Sequence, residues 1–321
     1  MRYRLTLLAV LVATACGGGS HTATQDGHDV AVSLMLDWYP NADHVGVYVG
    51  IDKGFFARAD LAVDARAPSD ASDPIRRVAA GATDLGIDYE PEVFLAQQQH
   101  VPVVAVASVA PEALASIIAP GGSGIHTPAD LRGKTIGVDG TGSTTAFVET
   151  VLRHAGVSPS QVTLRNIGFN QVPDLLEHHV DAVAGVFQNI EGIQFAQRGL
   201  HPVVFPYDRY GVPAYDELVL VANPKRLHSD TAYRHRVARF VAALRAATRW
   251  AQAHPAAATA VMEHHAYRDY MGTIKASVPA TLKLLRVGPL SATAWARFGS
   301  WMYHSGLLKS PPDAAALIAR P

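Results

Sequence analysis

The sequence predicts an α/β fold of two lobes. Three observations point there. Short β-branched apolar runs alternate with helical patterns, the pattern restarts in mid-chain, and 49% of the 321 residues are hydrophobic, enough for a sizeable core. Val30 to Leu36 reads as the first strand, broken by Asp37-Trp38-Tyr39-Pro40-Asn41. A helix from Val45 ends at the glycine of Asp52-Lys53-Gly54-Phe55-Phe56. Leu61 to Ala65 is the next strand, Pro74 to Ala80 a helix stopped by Gly81, and Asp84 to Ile87 a third strand. Pro91 to Gln99 is a short helix before the apolar run Val101 to Ala107. This alternation implies a mostly parallel sheet.

The second half of the pattern begins with a helical turn at Pro128 to Leu131 and a strand at Lys134 to Val138. Gly140 to Thr144 reads as a loop and Thr145 to His154 as a helix ending at Gly156. Val162 to Asn166 is a strand, Val172 to His178 a helix and Val180 to Val186 a strand. Asp84-Leu85-Gly86-Ile87 and Asp181-Ala182-Val183-Ala184 echo each other: each follows a helix, and an acidic residue opens a small apolar strand. Glu217 to Val221 is one more strand. Beyond it the chain becomes helical, with Val237, Phe240, Val241, Leu244 and Thr248 at helical spacing, Ser229 as N-cap and Pro255 ending the run. Further helices are expected over Ala256 to His265, Pro279 to Arg286 and Ala292 to His304. No Pro- or Gly-rich linker separates the lobes, so the crossings are placed in strands near Leu114 to Ala119 and Leu218 to Ala222. Lobe 1 then spans 29–115 with 218–321, and lobe 2, 116–217, is inserted into it.

The N-terminus reads as an address. Arg2 and Arg4 precede the apolar run Leu5 to Val12, and small residues Ala13, Thr14 and Ala15 stand before Cys16. Residues 1–15 fit a signal peptide. The junction resembles a bacterial lipobox, with Ala13 where leucine is usual, which implies lipidation of Cys16 and an anchor of buried acyl methylenes. The alternative is a free cysteine in an ordinary secretory signal. Residues 16–28, rich in Gly, Ser and Thr, read as a flexible tether. The folded body is therefore expected at the extracytoplasmic face of the cell membrane.

Other classes are disfavoured. The formal charge is −1, so no global basic field invites nucleic acid. A single cysteine excludes an internal disulfide framework and a Cys-rich zinc site. The adjacent pairs His178-His179 and His264-His265 point in different directions on a helix and make no chelate alone, so no metal is expected. Gly140-Thr141-Gly142-Ser143-Thr144-Thr145 sits where a phosphate cradle would, yet Thr145 replaces the glycine or alanine of a dinucleotide fingerprint. Neither a Gly-x-Ser-x-Gly elbow nor a His-Glu-x-x-His helix occurs.

A tethered, exported, two-lobed α/β protein with an inserted lobe looks like the solute-binding component of an ABC importer. Within that class, Leu36-Asp37-Trp38-Tyr39-Pro40-Asn41, His44 and Asp52-Lys53-Gly54-Phe55-Phe56 are similar to the opening of the pyrimidine-binding proteins related to yeast hydroxymethylpyrimidine synthase. Pro68-Ser69-Asp70, Gly86-Ile87-Asp88-Tyr89-Glu90-Pro91-Glu92, Gly168-Phe169-Asn170, Asn189 with Glu191-Gly192, and Tyr210-Gly211-Val212-Pro213 fit the same family. The resemblance runs from about Val32 to Val221. It implies a periplasmic-binding-protein-like fold of type II, a ligand cleft between the lobes, and thiamine-pyrimidine precursors such as N-formyl aminopyrimidines as ligands. The alternatives are a binder of riboflavin or another aromatic heterocycle, or a hydroxymethylpyrimidine synthase-like enzyme on the same fold. The family's fungal enzyme carries a lysine and a histidine where this chain reads Asp88 to Glu92, and a cysteine-rich iron motif that has no counterpart here. Without that amine and those thiolates, Schiff-base and iron chemistry of that kind have no groups to use, so a binder without cofactor is expected. The implied partners are an ABC permease and a small heterocycle, with the protein itself a monomer.

Parallel α/β sheets bind ligands beyond the carboxyl ends of their strands. Candidates at those positions are Trp38, Asn41 and His44 after the first strand, and Asp88, Tyr89 and Glu90 after the third. In lobe 2 they are Ser143 and Thr144, Asn170, and the run Phe187, Gln188, Asn189 and Glu191. Trp38, Tyr89, Phe187 and Tyr210 are candidates for stacking on a flat ring; Asn41, Glu90, Asn170 and Glu191 are candidates for reading its polar edge. Each has a plainer role open to it: Trp38 as a plug under the first helix, Glu191 as a helix-terminal charge, Phe187 as core, His44 as a locally bonded helix residue.

Overall fold

Two five-stranded sheets organise the chain. A computed structural model describes residues 29–321. The signal-peptide and tether segments, 1–28, and the lipidation candidate Cys16 lie outside the described residues. The first sheet contains β1 (Val30–Met35), β2 (Leu61–Arg66), β3 (Leu85–Asp88), β4 (Val104–Ala110) and β10 (Leu218–Ala222), in the order β2-β1-β3-β10-β4. The second contains β5 (Ala115–Ala119), β6 (Thr135–Val138), β7 (Thr163–Asn166), β8 (Ala182–Phe187) and β9 (Val203–Pro206), in the order β7-β6-β8-β5-β9.

Each sheet is parallel apart from one strand. β1 pairs in parallel with β2 and β3, whereas β10 runs antiparallel to β3 and β4. In the second sheet β6 is parallel to β7 and β8, and β5 runs antiparallel to β8 and β9. The two reversed strands are those that enter a sheet directly from the other lobe. β5 and β10 are buried along their whole length, as apolar runs inside a covered sheet are expected to be, and β4, although it ends its sheet, is equally buried.

Helices cover the sheets: α1 (Val45–Asp52), α2 (Asp73–Ala79), α3 (Glu90–Gln98), α4 (Gly142–His154), α5 (Gln171–Leu176) and α6 (Ile193–Gln197). The C-terminal third adds α7 (Pro224–Ser229), α8 (Thr231–Ala253), α9 (Pro255–His265), α10 (Ile274–Thr281) and α11 (Ala292–His304). The stripe Val237, Phe240, Leu244 and Ala247 of α8 is buried, and the Phe240 ring stacks on Phe56 at 4.8 Å.

Four local expectations are corrected. α4 starts at Gly142, because Thr141 caps it: the Thr144 N–H donates to the Thr141 hydroxyl. The N-cap of α8 is Asp230, which accepts from the Tyr233 N–H, while Ser229 ends α7. Pro279 lies inside α10 instead of opening a helix. β9 was missing from the expected strands; four residues long and closed by Pro206, it is an edge strand with little periodicity to read.

Candidate functional site in the cleft between the lobes

The carboxyl ends of the strands in both sheets converge on a narrow cleft. Its inner part consists of two adjoining spaces of about 20 Å³ each, room for roughly one water apiece. Asp37, Trp38, Asn41 and Tyr89 of the first lobe face Gln171, Gly185, Val186, Phe187 and Glu191 of the second across one of them. The other lies between Tyr89, Pro91, Tyr215 and Glu217 and the second lobe's Asp139, Ser143, Thr144, Phe147 and Tyr207. Tyr89, Gly185 and Phe187 border both. A wider mouth of about 510 Å³ opens beside them, sharing Gln171 and Glu191 and bordered by Tyr39, Phe169, Asn170, Gln194, Tyr267 and Tyr270.

Asp37 stands at the centre. Its Oδ1 lies 2.9 Å from His44 Nε2, and its Oδ2 accepts from the Tyr89 hydroxyl at 3.0 Å. His44 Nδ1 accepts from the Asn41 N–H at 3.2 Å, which assigns the ring proton to Nε2 and directs it at Asp37. Asn41 caps the turn of Ala42–His44, its Oδ1 accepting from the Asp43 N–H. Trp38 donates through Nε1 to the Tyr270 hydroxyl at 2.9 Å, and that hydroxyl donates to Glu191 Oε1 at 3.1 Å. The Trp38 ring packs on Phe169 of the other lobe, centroids 3.9 Å apart. A planar guest that stacks on Trp38 must therefore displace Phe169, which requires the lobes to part.

The lobes are also latched behind the cleft. Asn189 donates to Asp43 and to Thr281, each at 2.8 Å. Glu92 accepts from the Ser143 N–H at 3.0 Å, placing a carboxyl at the N-terminus of α4. The two strands that cross between lobes are joined by Glu217, whose Oε2 accepts from the Leu114 and Ala115 N–H groups and from the Tyr215 hydroxyl, at 2.6, 2.9 and 2.8 Å.

The site is rich in acid and poor in base. No lysine or arginine borders either inner space. Burial pushes Glu191 up to about 7 against the pull of the Phe187 N–H and the Tyr270 hydroxyl, and pushes Glu217 up to about 7 against its three donors. Burial likewise raises Asp43, Asp88, Glu92 and Asp139. Such a cleft offers acceptors to a ligand that brings donors or positive charge, and aromatic walls to its faces.

Gly185 shows how tight the floor is. Its φ is +76°, and a Cβ there would lie 2.5 Å from Asp139 Oδ2 and 2.9 Å from Thr144 Oγ1. Gly185→Ala is expected to destabilise the fold by about 2 kcal/mol, visible as a lower thermal midpoint; an unchanged midpoint would contradict this packing.

Of the residues singled out from sequence, Trp38, Asn41, Tyr89, Ser143, Thr144, Phe187 and Glu191 border the inner spaces, and Asn170 the mouth. His44 and Asn189 are buried one layer back, orienting Asp37 and latching the lobes. Asp88 is buried beneath the loop, accepting from the Tyr89 N–H. Glu90 points to the opposite side, where its Oε2 accepts from the Asp216 N–H. Gln188 is exposed, and Tyr210 packs edge-on against Phe205 and His154, away from the cleft. Sequence reasoning missed Asp37, Asp139, Gln171, Tyr207, Tyr215, Glu217 and Tyr270. Among the described residues, no group of three or more His, Cys, Asp or Glu side chains is placed to hold a metal ion, and no helix is long and apolar enough to cross a membrane.

Comparison with known proteins bears on this arrangement. The NMT1/THI5-like family model matches residues 41–258. A putative thiamine biosynthesis protein of Haemophilus influenzae is 37% identical over 224 residues, 70% of each chain. A formylaminopyrimidine-binding protein of Halalkalibacterium halodurans is 39% identical over 219 residues, 68% of this chain and 65% of the relative. Among solved structures, the alkanesulfonate-binding protein SsuA from Xanthomonas axonopodis pv. citri superposes with a TM-score of 0.73 at 18% identity, over 91% of this chain and 99% of that one. The fold is thus that of the periplasmic binding proteins, two-lobed and α/β as the sequence implied. By its match over two thirds of its length, the chain belongs to the NMT1/THI5-like family.

Proposed function

We propose that this chain is the extracytoplasmic substrate-binding protein of an ABC importer and captures a thiamine-pyrimidine precursor of the N-formyl aminopyrimidine or hydroxymethylpyrimidine type. The observation that carries this reading is the cleft itself: carboxyl groups and aromatic rings from both lobes, with no cationic side chain on its inner walls. A flat aminopyrimidine brings exocyclic N–H donors to match Asp37 and Glu191 and two faces to match Trp38 and Tyr89. A sulfonate or nitrate in the inner spaces would meet buried acceptors, since the guanidinium groups bordering the cleft, Arg198 and Arg268, stand at its mouth, so the SsuA-like fold does not by itself carry an SsuA-like ligand with it. The name of the Halalkalibacterium relative supports the same ligand class. The mechanism is capture and hinge closure about the crossing strands β5 and β10 without covalent chemistry; the inner walls carry no lysine amine or cysteine thiol to form a bond with the ligand. Anchorage through a lipidated Cys16, delivery to a membrane permease and a monomeric state complete the proposal.

The test is calorimetric titration of the protein, residues 17–321, with N-formyl-4-amino-5-aminomethyl-2-methylpyrimidine, hydroxymethylpyrimidine, riboflavin and an alkanesulfonate. Micromolar or tighter binding of a pyrimidine, with riboflavin and sulfonate at least about a hundredfold weaker, is expected. Binding of the sulfonate in preference to every pyrimidine would overturn the reading.

A further inference from the structure

A second concave space lies behind the crossing strands, on the face away from the cleft. Its volume is about 520 Å³, within the range of small-molecule sites. Four guanidinium groups converge on it from three elements: Arg245 and Arg249 one turn apart on α8, Arg286 from the connection between α10 and α11, and Arg297 on α11. Elsewhere on the protein, Arg66, Arg76, Arg153, Arg226 and Arg239 pair with Asp or Glu oxygens within 4.0 Å. Among the described residues, these four make no such pair. Arg245 donates through Nε to the Val287 carbonyl at 3.1 Å and Arg286 donates to the Leu285 carbonyl at 2.9 Å. Those bonds hold the two side chains in place while leaving most of their N–H groups unspent.

Two carboxyl groups belong to the same space. Asp216 is fully engaged, accepting from the Ser108 hydroxyl at 2.7 Å and from Trp295 Nε1 at 2.8 Å. Glu90, 1% exposed, lies in the wall with Oε1 unpartnered. Burial, the largest influence on it, pushes its carboxyl well above the ordinary range, so it is available there as an O–H donor. Pro111, Val287 and Ala294 supply apolar wall. Four cations, a buried acid in its donor form and an apolar flank together match a doubly charged acceptor head on a small organic body.

From this geometry we infer a second ligand site, in which the guanidinium groups of Arg245, Arg249, Arg286 and Arg297 bind a small soluble phosphate monoester behind the hinge. Paired guanidinium forks suit the tetrahedral oxygens of phosphate, and a concave pocket suits a free solute better than the flat surface of a bilayer. The site shares no lining residue with the inner cleft except Tyr215, so it stands or falls independently of the ligand proposed there.

The experiment titrates ribose 5-phosphate into the wild-type protein and into Arg249→Gln/Arg297→Gln, at constant ionic strength near 0.15 M set by sodium chloride. Both replaced side chains are exposed, so the fold is expected to survive, and a thermal midpoint checks it. Wild type is expected to bind with a dissociation constant below about 1 mM, and the double variant at least about tenfold more weakly. Ribose in place of its phosphate ester should show no binding. No binding up to about 10 mM, or equal binding by the folded double variant, overturns the inference. A third arm sediments the protein with phosphatidylglycerol vesicles. Co-sedimentation that ribose 5-phosphate fails to displace would assign the arginines to lipid headgroups and also overturn it.

Discussion

Raising the pH from 5 to 8 is expected to destabilise the ligand-free protein by several kcal/mol, the reverse of ordinary acid denaturation. The cause is a set of buried carboxyls, among them Glu191 and Glu217, both pushed up to about 7 from an ordinary 4.5. In the unfolded chain these groups release their protons near pH 4.5; in the folded protein they keep them to about 7. Between those values the folded state binds more protons, so the contribution of these two groups is full below about 4.5 and falls as pH rises towards 7; Asp43, Asp88 and Glu90, which burial pushes well up, add to the loss in the same direction. Each tenfold gain in proton affinity on folding is worth about 1.4 kcal/mol, so each group accounts for roughly 3 kcal/mol at most. Acid loss is displaced to lower pH. Burial pushes Asp73 up, but the hydrogen bonds from Ser69 and the guanidinium groups of Arg76 and Arg77 outweigh it and hold this carboxyl at about 2. Its contribution is lost only as pH falls below the carboxylate range. Denaturant unfolding at pH 5, 6, 7 and 8 reads the slope directly. Glu217→Gln preserves an oxygen for the Leu114 and Ala115 N–H groups and removes one of the titrations, so its stability should fall less steeply with pH than that of the wild type. A wild-type stability that is level or rising between pH 5 and 8 would mean that these carboxyls are not packed as described. A donor-bearing ligand in the cleft should flatten the same slope, because it stabilises the charged forms.

Much of this fold was legible because its strands are apolar and its turns carry Gly, Pro or Asp. The alternation of strand and helix and the restart after Pro128 were visible in hydrophobic pattern. What pattern does not convey is which of two adjacent residues faces a cleft that forms only when distant segments meet. Tyr89 and Glu90 are neighbours at the start of α3, and they point to opposite sides of the hinge: Tyr89 to Asp37, Glu90 to the arginine pocket. Phe187 and Gln188 divide the same way at the end of β8, one walling the cleft and the other in solvent. Glu217 and Tyr270 were illegible for a different reason. Each gains its role from partners more than 75 residues away, Leu114 and Ala115 for one, Trp38 and Glu191 for the other. Asp37 is the instructive omission. It stood beside Trp38 in the motif that carried the family resemblance, yet only the meeting of His44 and Tyr89 on its two oxygens marks it as the centre of the site.

Replacing Asp37 by asparagine is expected to cost the proposed aminopyrimidine ligand at least about a hundredfold in affinity, roughly 2.7 kcal/mol. The carboxyl presents two acceptor oxygens to the cleft, each held by a donor behind it. An amide of the same shape keeps one oxygen and turns an N–H2 either to His44 Nε2–H, where it clashes, or to the Tyr89 side of the cleft, where it presents a donor to the ligand's own donors. Either way the cleft loses one of the two acceptor oxygens that a donor-bearing ligand would meet. His44 acts only through Asp37, from a position with no wall in either space, so His44→Gln should weaken binding by about tenfold and no more. Calorimetric titration of the two variants, each checked for an intact thermal transition, separates the roles. If Asp37→Asn bound as tightly as wild type, the ligand's donors would have to be met by Glu191, and the centre of recognition would move to the other lobe. If His44→Gln proved the more damaging in a folded protein, the imidazole would be a contact in its own right. The opposite order, with Asp37 far ahead of His44, is what a carboxyl steered from behind by a buried ring requires.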